Sequence, residues 1–490
     1  MGFKADTSFL RFLTMGAVGV RATMAQLRTD GFEPIELERY CTSNKIWATK
    51  VKRLRLPDVL CVRTGLRVEV RAKSDLKVRM SDAPTNPDRR WDVGLRDDDV
   101  VAFVACDGGE AQVQAAGPPV FFLVSDLRAS VKATKLGPPK SASEGAERDR
   151  EWKSTVPSQD GKVLQVTKDK IVAQLGSGRR QTYGLAGKAA YVRAGDRFTG
   201  GASIIAGVVA RLAPLAVAKT QTWDPMRNLT APDAVDRYAA AKAIPHRVTD
   251  GRREQAALLA CLEDERDDRV ALEMAASAAR LQAEGEGGIE HVAATVWNHE
   301  RADLRMEAVL ILSELGTTEA ATELKRIATA TAFSGNELRQ AATWGLGKTN
   351  CQAYAELVDL LGDEDDAVAL HAIAAFGPDT PAGVVRSLVG VLRSGRARER
   401  AAASEALRLI GSDAVLRALV EALCGGDWPR AWILATLGRL DAARVRSALA
   451  GDPLLAEVEP LLSLGPTENW LALPEIAVDL RSLLLQEVPA

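Results

Sequence analysis

An apolar residue followed by glycine recurs at a nearly constant interval in the C-terminal half of the chain, and this repeat constrains the fold most strongly. Each pair ends a stretch with the helical spacing of apolar and small residues, and several are followed by a second apolar helix. One helix pair per period of roughly 30 residues is typical of an α-solenoid, in which neighbouring repeats bury one continuous core. The pairs, whose glycines lie 31, 30, 34 and 27 residues apart, are Leu315-Gly316, Leu346-Gly347, Phe376-Gly377, Ile410-Gly411 and Leu437-Gly438.

The stretch from Ala397 to Ile410 combines a small-residue face with alternating Arg and Glu. This stretch resembles the first helix of a HEAT repeat, and the period extends the resemblance over residues 228–490. The resemblance implies a curved surface that binds a protein partner. Acidic residues are in excess in this part of the chain, because residues 141–490 carry a net charge of −8. A protein partner is therefore expected on the solenoid.

A chain of 490 residues is too long for one compact core, and its length suggests roughly three domains. We predict a multidomain α+β protein, with an N-terminal α/β domain over residues 1–136. A linker rich in Gly, Pro and Ser follows at 137–150. Short alternating strands with glycine turns predict a small β-barrel or sandwich at 151–220. The helical repeats occupy residues 228–490.

The N-terminal region alternates helical and strand patterns. A first helix is predicted from Phe9 to Arg28. Two strands, Asp58 to Arg63 and Leu66 to Lys73, are separated by a tight-turn signal at Thr64-Gly65. The apolar runs 100–106 and 120–124 predict buried strands, so several of the strands in this region should be central to a sheet.

The hairpin over residues 58–73 carries the residues best suited to chemistry. Asp58 stands at the head of its first strand and Glu69 lies on the second. Strand periodicity places Glu69, Arg71 and Lys73 on one face. Two carboxylates beside one or two cations suit Mg²⁺ or Mn²⁺, with Asp58 and Glu69 holding the metal. Arg71 or Lys73 would polarise the attacking water or steady a pentavalent phosphate.

Positive charge is concentrated around this hairpin. Residues 1–140 hold 23 Lys and Arg against 17 Asp and Glu, whereas the whole chain has a net charge of −2. This part of the chain therefore suits a polyanion, and nucleic acid is the expected partner, with DNA favoured over RNA. The residues expected to contact its phosphate backbone are Lys52, Arg53, Arg55, Lys77 and Arg79.

The hairpin resembles the PD-(D/E)xK nuclease superfamily, the restriction-endonuclease-like fold. That family's order is a helix, a strand with Pro-Asp, a strand with Glu-x-Lys, then a helix and further strands. Pro57-Asp58 and Glu69 match the two acidic positions, but Arg71 stands in place of the lysine. Three alternatives follow: Lys73 substitutes for the lysine, Arg71 fills its role, or the site is inactive. The resemblance implies a Mg²⁺-dependent endonuclease acting in bacterial defence against foreign DNA or in DNA repair.

The positions of the histidines, the spacing of the cysteines and the hydropathy of the chain argue against several other classes of protein. All four histidines lie beyond residue 245, so the N-terminal domain cannot supply an HNH site or a Ser-His-Asp triad. The six cysteines form no C-x-x-C pair, which indicates reduced thiols in a cytoplasm. The apolar segments 9–20 and 204–218 are each interrupted by arginine, so we expect neither a signal peptide nor a membrane span.

Two hypotheses compete with a nuclease. The endonuclease-like domain could be a catalytically inactive scaffold that binds nucleic acid or protein, or the solenoid could be the sole functional surface. Because two active sites most simply cut two strands, a homodimer is also expected for the nuclease.

Overall fold

The computed structural model divides the chain into two compact units. The first comprises Met1–Ile46 with Lys52–Gly285, and the second comprises Trp47–Val51 with Glu286–Ala490. The first unit is rich in β-strands arranged in several sheets, whereas the second is all-helical, so the predicted α+β class is confirmed at this level. The structure describes residues 7–37, 47–49, 54–108, 113–140, 147–210, 214–247, 251–281, 287–333, 335–348, 353–425 and 430–478.

The first unit opens with a helix and a mixed sheet. The predicted first helix is confirmed, as are the buried strands near residues 100 and 120. The elements up to residue 152 are α1 (Thr7–Thr29), β1 (Pro34–Glu36), β2 (Val59–Cys61), β3 (Arg67–Lys73), β4 (Arg79–Asp82), β5 (Val100–Asp107), β6 (Gln114–Ala115), β7 (Val120–Leu123), α2 (Val124–Ala129), β8 (Thr134–Pro139) and β9 (Arg148–Trp152).

The central sheet has the order β1-β2-β3-β5-β6, with β7 also paired to β5. β1, β2 and β3 form an antiparallel meander, and β5 lies parallel to β3. One face, including Val68, Val70 and Val104, packs in the same core as Met24 and Leu27 of α1. Residues of β5 that point to the other face form a second core with Trp91 and Trp152, among others. β5 is therefore buried on both faces, which explains its uninterrupted apolar sequence.

Two glycines permit the local geometry of this sheet. Gly65 adopts φ +71° in the predicted turn, and its N–H donates to the carbonyl of Cys61 at 2.8 Å. Only glycine adopts such a φ without strain. Gly19 of α1 lies against β3, since a Cβ added there would stand 2.8 Å from the Cβ of Ala72. The close packing of α1 on β3 depends on that missing side chain.

The connection from β3 to β5 departs from the order of the nuclease family. Residues 74–99, all of which the structure describes, contain β4 and one 3-10 turn, Pro87–Arg89, but no α-helix. Pro84 and Pro87 disfavour a helix there, because proline lacks the N–H that a helix interior needs. The parallel crossover is thus made by β4, turns and irregular chain.

The segment predicted as a linker contributes to a sheet. β8 reaches Pro139 and β9 begins at Arg148, and together with β4 they form a three-stranded sheet in the order β4-β9-β8. The proline is accommodated because β8 is an edge strand, where a missing N–H costs no ladder hydrogen bond. Trp152 at the end of β9 is fully buried in the core of the N-terminal region.

The predicted β-barrel is not found among the described residues. One sheet has the order β13-β12-β11-β15 and a second has the order β10-β16-β14. The strands of the second sheet are two residues long, so continuous pairing around a closed barrel is not possible there. Side chains of both sheets share one small core. The strands are β10 (Ser154–Thr155), β11 (Gly161–Val166), β12 (Lys170–Leu175), β13 (Arg180–Gly184), β14 (Ala189–Ala190), β15 (Arg197–Phe198) and β16 (Ala206–Gly207).

Helices complete the first unit. They pack on the meander, because Leu60 of β2 and Leu37 lie in one core with Tyr238 and Met274. The first helices of the range 228–490 therefore belong to the compact unit that contains the sheet. These helices are α3 (Pro214–Ala218), α4 (Pro225–Asn228), α5 (Ala234–Ala243), α6 (Gly251–Asp264) and α7 (Asp268–Arg280).

The second unit is a two-layered array of helices. In one layer α9, α11, α13, α15 and α17 contact one another in sequence, and the intervening helices form the other layer. Gly316 and Gly411 end α9 and α15, as the repeated apolar-glycine pairs predicted, and both adopt the left-handed conformation. The helices are α8 (Gly288–Asn298), α9 (Ala302–Leu315), α10 (Thr318–Ala328), α11 (Glu337–Leu346), α12 (Tyr354–Asp359), α13 (Asp366–Ala374), α14 (Ala382–Ser394), α15 (Ala397–Ile410), α16 (Asp413–Cys424), α17 (Arg430–Gly438), α18 (Ala442–Ala448), α19 (Leu454–Val458) and α20 (Pro466–Leu471).

Small residues set the spacing within the layer. Gly345 of α11 faces Ser313 of α9 so closely that an added Cβ would meet the hydroxyl of that serine. Thr436 of α17 donates to the hydroxyl of Ser404 on α15 at 2.9 Å. None of the described helices combines the length and apolar character needed to cross a membrane.

Candidate active site

The β2–β3 hairpin brings Asp58 and Glu69 together. Val59 pairs with Val68 and Leu60 with Arg67, so this antiparallel register sets Asp58 opposite Glu69. Residues directly opposite in an antiparallel pair share a face. One carboxylate oxygen of Asp58 accepts a hydrogen bond from the backbone N–H of Val70 at 2.6 Å, which holds the side chain at the start of β2.

The alternation of β3 separates its apolar and charged residues, as predicted. Val68, Val70 and Ala72 pack with α1, so Glu69, Arg71 and Lys73 lie on the opposite face. Glu69 has a side chain that is only 13% exposed, whereas Arg71 is 39% exposed. The Glu69 carboxylate is therefore recessed, and the Arg71 guanidinium that contacts it is more exposed to solvent.

Glu69 carries the most perturbed carboxyl group of this face. Burial raises its pKa to about 7, and the negative charges of Asp58 and Asp99 raise it further, against the lowering effect of Arg71. Arg71 contacts the Glu69 carboxylate at 2.7 Å. One guanidinium thus does not fully compensate the charge of the recessed carboxylate pair.

Lys73 belongs to a different neighbourhood from Glu69. Four residues along a strand span about 13 Å, so Lys73 lies two pleats beyond Glu69 while Arg71 contacts it. Burial lowers the pKa of Lys73, and the positive charges of Arg71, Arg79 and Lys140 lower it further. Of the two residues considered for the family's lysine position, Arg71 is therefore the one at the carboxylates.

The cations predicted to contact nucleic acid divide into three groups. Lys52 and Arg53 lie outside the described residues. Arg55 donates to the carbonyl of Asp88 at 3.1 Å, and its positive charge lowers the pKa of Glu69. Lys77 and Arg79 both pair with Asp75, at 2.8 Å and 3.7 Å, and both extend the charged surface beyond Lys73.

Lys140 joins this surface although the sequence interpretation assigned it to a linker. Its ammonium group lies 2.8 Å from Asp149 and donates to Ser81 at 2.6 Å. Pairing of β4, β9 and β8 brings it to the same sheet as Arg79. No local pattern in the sequence signals this proximity, because it depends on which strands pair.

A buried ion-pair network supports β3 one pleat before Glu69. Arg67 is 2% exposed and donates to both carboxylate oxygens of the fully buried Asp99, at 2.9 Å and 2.6 Å. It also donates to Asp236 of α5 at 3.0 Å. Asp99 is not singled out by the sequence, because no local pattern pairs it with an arginine 32 positions away.

A separate polar cavity of about 390 Å³ lies in the first unit. Trp91 forms part of its wall and packs edge-on against Trp152, with ring centres 5.1 Å apart. Its charged residues pair with one another, Arg150 with Asp82 and Arg128 with Asp92. The lining residues are Asp82, Pro84, Arg90, Trp91, Asp92, Arg128, Val131 and Arg150.

The site offers hard oxygen donors to a cation. Within the described part of the chain, no group of three or more His, Cys, Asp and Glu side chains is arranged to hold a metal ion. Asp58 and Glu69 are the two carboxylates that the register of the hairpin places opposite each other. Mg²⁺ accepts carboxylate oxygens as ligands while it keeps several waters. A cation beside Glu69, in addition to Arg71, would lower the raised pKa of this carboxyl group.

Neither a protein-family model nor a curated protein matches the sequence. Among solved structures, YibA of Escherichia coli has 15% identity, with 49% of this chain and 92% of its own covered, at a TM-score of 0.25. An engineered protein has 18% identity, with coverages of 52% and 96% and a TM-score of 0.20. TM-scores this low support no conclusion about fold or function, so the site is interpreted from its own residues.

Proposed function

We propose that the hairpin site hydrolyses phosphodiester bonds of nucleic acid in a reaction that depends on Mg²⁺ or Mn²⁺. The observation that carries this proposal is the cross-strand pair Asp58 and Glu69, with Arg71 in contact with Glu69 at 2.7 Å. DNA is the favoured substrate, as for the nucleases that the hairpin resembles. Defence against foreign DNA or DNA repair is the biological setting that follows from that resemblance.

The two carboxylates would hold the divalent cation. Bound there, Mg²⁺ would activate a water molecule and neutralise charge on the phosphate. A guanidinium group offers hydrogen-bond donors and no acceptor, so Arg71 would supply positive charge and not a base. Its guanidinium, exposed at the opening of the site, suits the non-bridging oxygens of a phosphate that develops negative charge during attack.

The neighbouring cations would bind the polymer. Lys73, Lys77, Arg79 and Lys140 extend from the end of β3 onto the β4-β9-β8 sheet. Such contacts with phosphates hold a nucleic acid in register without reading its sequence. The helical unit would serve as a recognition or partner-binding module, which suits a curved array of repeats.

A cleavage assay tests the proposal directly. Purified full chain is incubated with plasmid and with single-stranded DNA in Mg²⁺ or Mn²⁺, beside the variants Asp58→Asn and Glu69→Gln. We expect metal-dependent cleavage by the wild type and a loss of at least a hundredfold in each variant. Arg71→Lys should keep activity, whereas Arg71→Ala should lose at least tenfold, because only the former retains a cation at Glu69.

Glu36→Gln is the matched control, because Glu36 is an exposed carboxylate on β1 of the same meander. It should cleave like the wild type. Circular dichroism and thermal melting would establish that each variant is folded. Metal-dependent cleavage that persists in both Asp58→Asn and Glu69→Gln would place the chemistry elsewhere and overturn the proposal.

The contact between Arg71 and Glu69 also favours a second candidate, a binding scaffold without catalysis, because the guanidinium already neutralises part of the carboxylate charge. A scaffold would bind DNA without cutting it in either metal. Its affinity would survive Glu69→Gln and fall, with a reduced salt dependence, when Lys73, Lys77 and Arg79 are replaced by glutamine.

A further inference from the structure

A short segment far upstream in the sequence forms part of the helical unit. Trp47, Ala48 and Thr49, here called the docked segment, group with the helices of the second unit. The side chain of Trp47 is buried, with 3% of the residue exposed. A tryptophan buried by helices almost three hundred positions away indicates a specific contact.

Trp47 packs against the rings of Trp344 and His371. Its ring packs edge-on against Trp344 of α11, with centres 6.3 Å apart, and lies 5.6 Å from the ring of His371 on α13. Burial lowers the pKa of His371, so that at pH 7 this ring is a neutral, largely apolar surface. The two helices are adjacent in one layer of the array, and Trp47 is held by both.

Glu337 binds the backbone of the docked segment. Its carboxylate accepts hydrogen bonds from the backbone N–H groups of Ala48 and Thr49, and from the hydroxyl of Thr49 at 2.6 Å. Glu337 begins α11 and Trp344 lies seven residues later, two turns along the same face. One face of one helix therefore supplies both the aromatic contact and the carboxylate.

These contacts have the chemistry of peptide recognition. A buried aromatic anchor supplies affinity. A carboxylate that accepts from consecutive N–H groups requires a bent backbone, because neighbouring N–H groups of an extended strand point to opposite sides. Residues 47–49 are bent in this way. The hydroxyl contact selects threonine or serine two positions after the aromatic residue. The ligand is thus a bent segment of the type Trp-x-Thr.

We propose that the surface formed by Glu337, Trp344 and His371 is a peptide-binding site that holds the chain's own residues 47–49 and exchanges them for a Trp-x-Thr segment of another protein. The docked segment is covalently tethered, so it competes with such a partner at a high local concentration. Exchange at this surface requires no catalytic activity, so its test is independent of the proposed function.

A competition experiment with the full chain tests this inference. The probe is a fluorescein-labelled peptide with the sequence of residues 44–52, and binding is followed by fluorescence anisotropy. The Trp47→Ala chain, which lacks its own anchor, should bind the peptide at least tenfold more tightly than the wild type. Binding should fall back at least tenfold when Glu337→Gln is added, and a peptide with alanine at its tryptophan should not bind.

Two controls keep the result interpretable. Glu319→Gln, an exposed carboxylate in the first turn of α10, should leave peptide binding to the Trp47→Ala chain unchanged. Thr49→Asp opens the site by a different route, because its carboxylate is repelled by Glu337, and it should also bind the peptide. Failure of both folded variants to bind, or equal binding to the wild type, would overturn the proposal.

Discussion

At the residue scale, burial and neighbouring charges act in opposite directions on the ionisation of Glu69. Its position on β3 makes it a neighbour of Asp58, and the packing around it leaves 13% of the side chain exposed. Burial and the nearby carboxylates favour the neutral form, whereas Arg71 favours the charged form. The balance raises the pKa to about 7, which makes the charge of this residue responsive near neutral pH.

The contribution of Glu69 to stability, measured as the difference in unfolding free energy between the wild type and Glu69→Gln, should therefore fall as the pH rises from 5 to 8. The folded state keeps the proton on Glu69 at a pH where the unfolded chain has lost it, because the folded pKa is about 7 against 4.5. The resulting stabilisation is complete below pH 4.5 and is lost through pH 7, with an upper limit of about 3 kcal/mol. Denaturant unfolding at several pH values measures it.

Glu69→Gln cannot ionise, so its unfolding free energy should depend less on pH over this range. Adding Mg²⁺ at pH 8 should stabilise the wild type and have a smaller effect on Glu69→Gln. Parallel pH profiles for the two proteins between pH 5 and 8 would show that Glu69 does not titrate as inferred.

At the element scale, close approach between helices determines which substitutions the helical unit tolerates. Gly345 lies inside α11, where alanine would ordinarily be preferred for its helix propensity. A Cβ at this position would meet the Ser313 hydroxyl and lie 3.3 Å from Leu324. Gly390 of α14 lies in a comparable helix interior, but nothing stands within 4 Å of its added Cβ.

Gly345→Ala and Gly390→Ala should consequently have opposite effects. The first should lower the melting temperature, since α9 and α11 must separate to admit the methyl group. The second should raise stability by about 0.5–1 kcal/mol, because alanine loses less backbone entropy than glycine. Thermal unfolding followed at 222 nm measures both, and a stabilising Gly345→Ala would refute the close packing of α9 on α11.

At the scale of the whole molecule, a few long-range contacts join parts of the chain that no local pattern connects. Arg67 on β3 donates both to Asp99, immediately before β5, and to Asp236 on α5, which is 169 residues away from Arg67 in sequence. Both Arg67 and Asp99 are almost completely buried, so each charge depends on its ion-pair partners, which for Asp99 also include Arg96. This network unites the sheet with the helices that follow it in the first unit.

Removing one partner of this network should be costly. Arg67→Met would leave the carboxylate of Asp99 in the core with less compensation, and we expect a loss of about 3–5 kcal/mol in unfolding free energy. Adding Asp99→Asn should recover part of that loss, because the neutral amide is cheaper to bury. Hydrogen exchange of the β3 and β5 amides measures the local effect, and equal exchange in wild type and Arg67→Met would contradict the role of this pair.

The local elements follow from the sequence by itself, because they depend on spacings of a few residues. The alternation around Glu69 and the turn at Gly65 predict the hairpin, and the recurring glycines predict the helix pairs. The two carboxylates could be predicted as neighbours for the same reason, since they lie on adjacent strands of one hairpin.

The tertiary structure decided which distant surfaces meet. It brought Lys140 beside Arg79, buried Asp99 against Arg67, and set Trp47 between α11 and α13. It also arranged the middle strands as two open sheets that share one core, where the sequence left a barrel and a sandwich as alternatives. Residue spacing encodes which face of an element is apolar, but the partner of that face depends on the packing of the whole unit, which no short window of sequence contains.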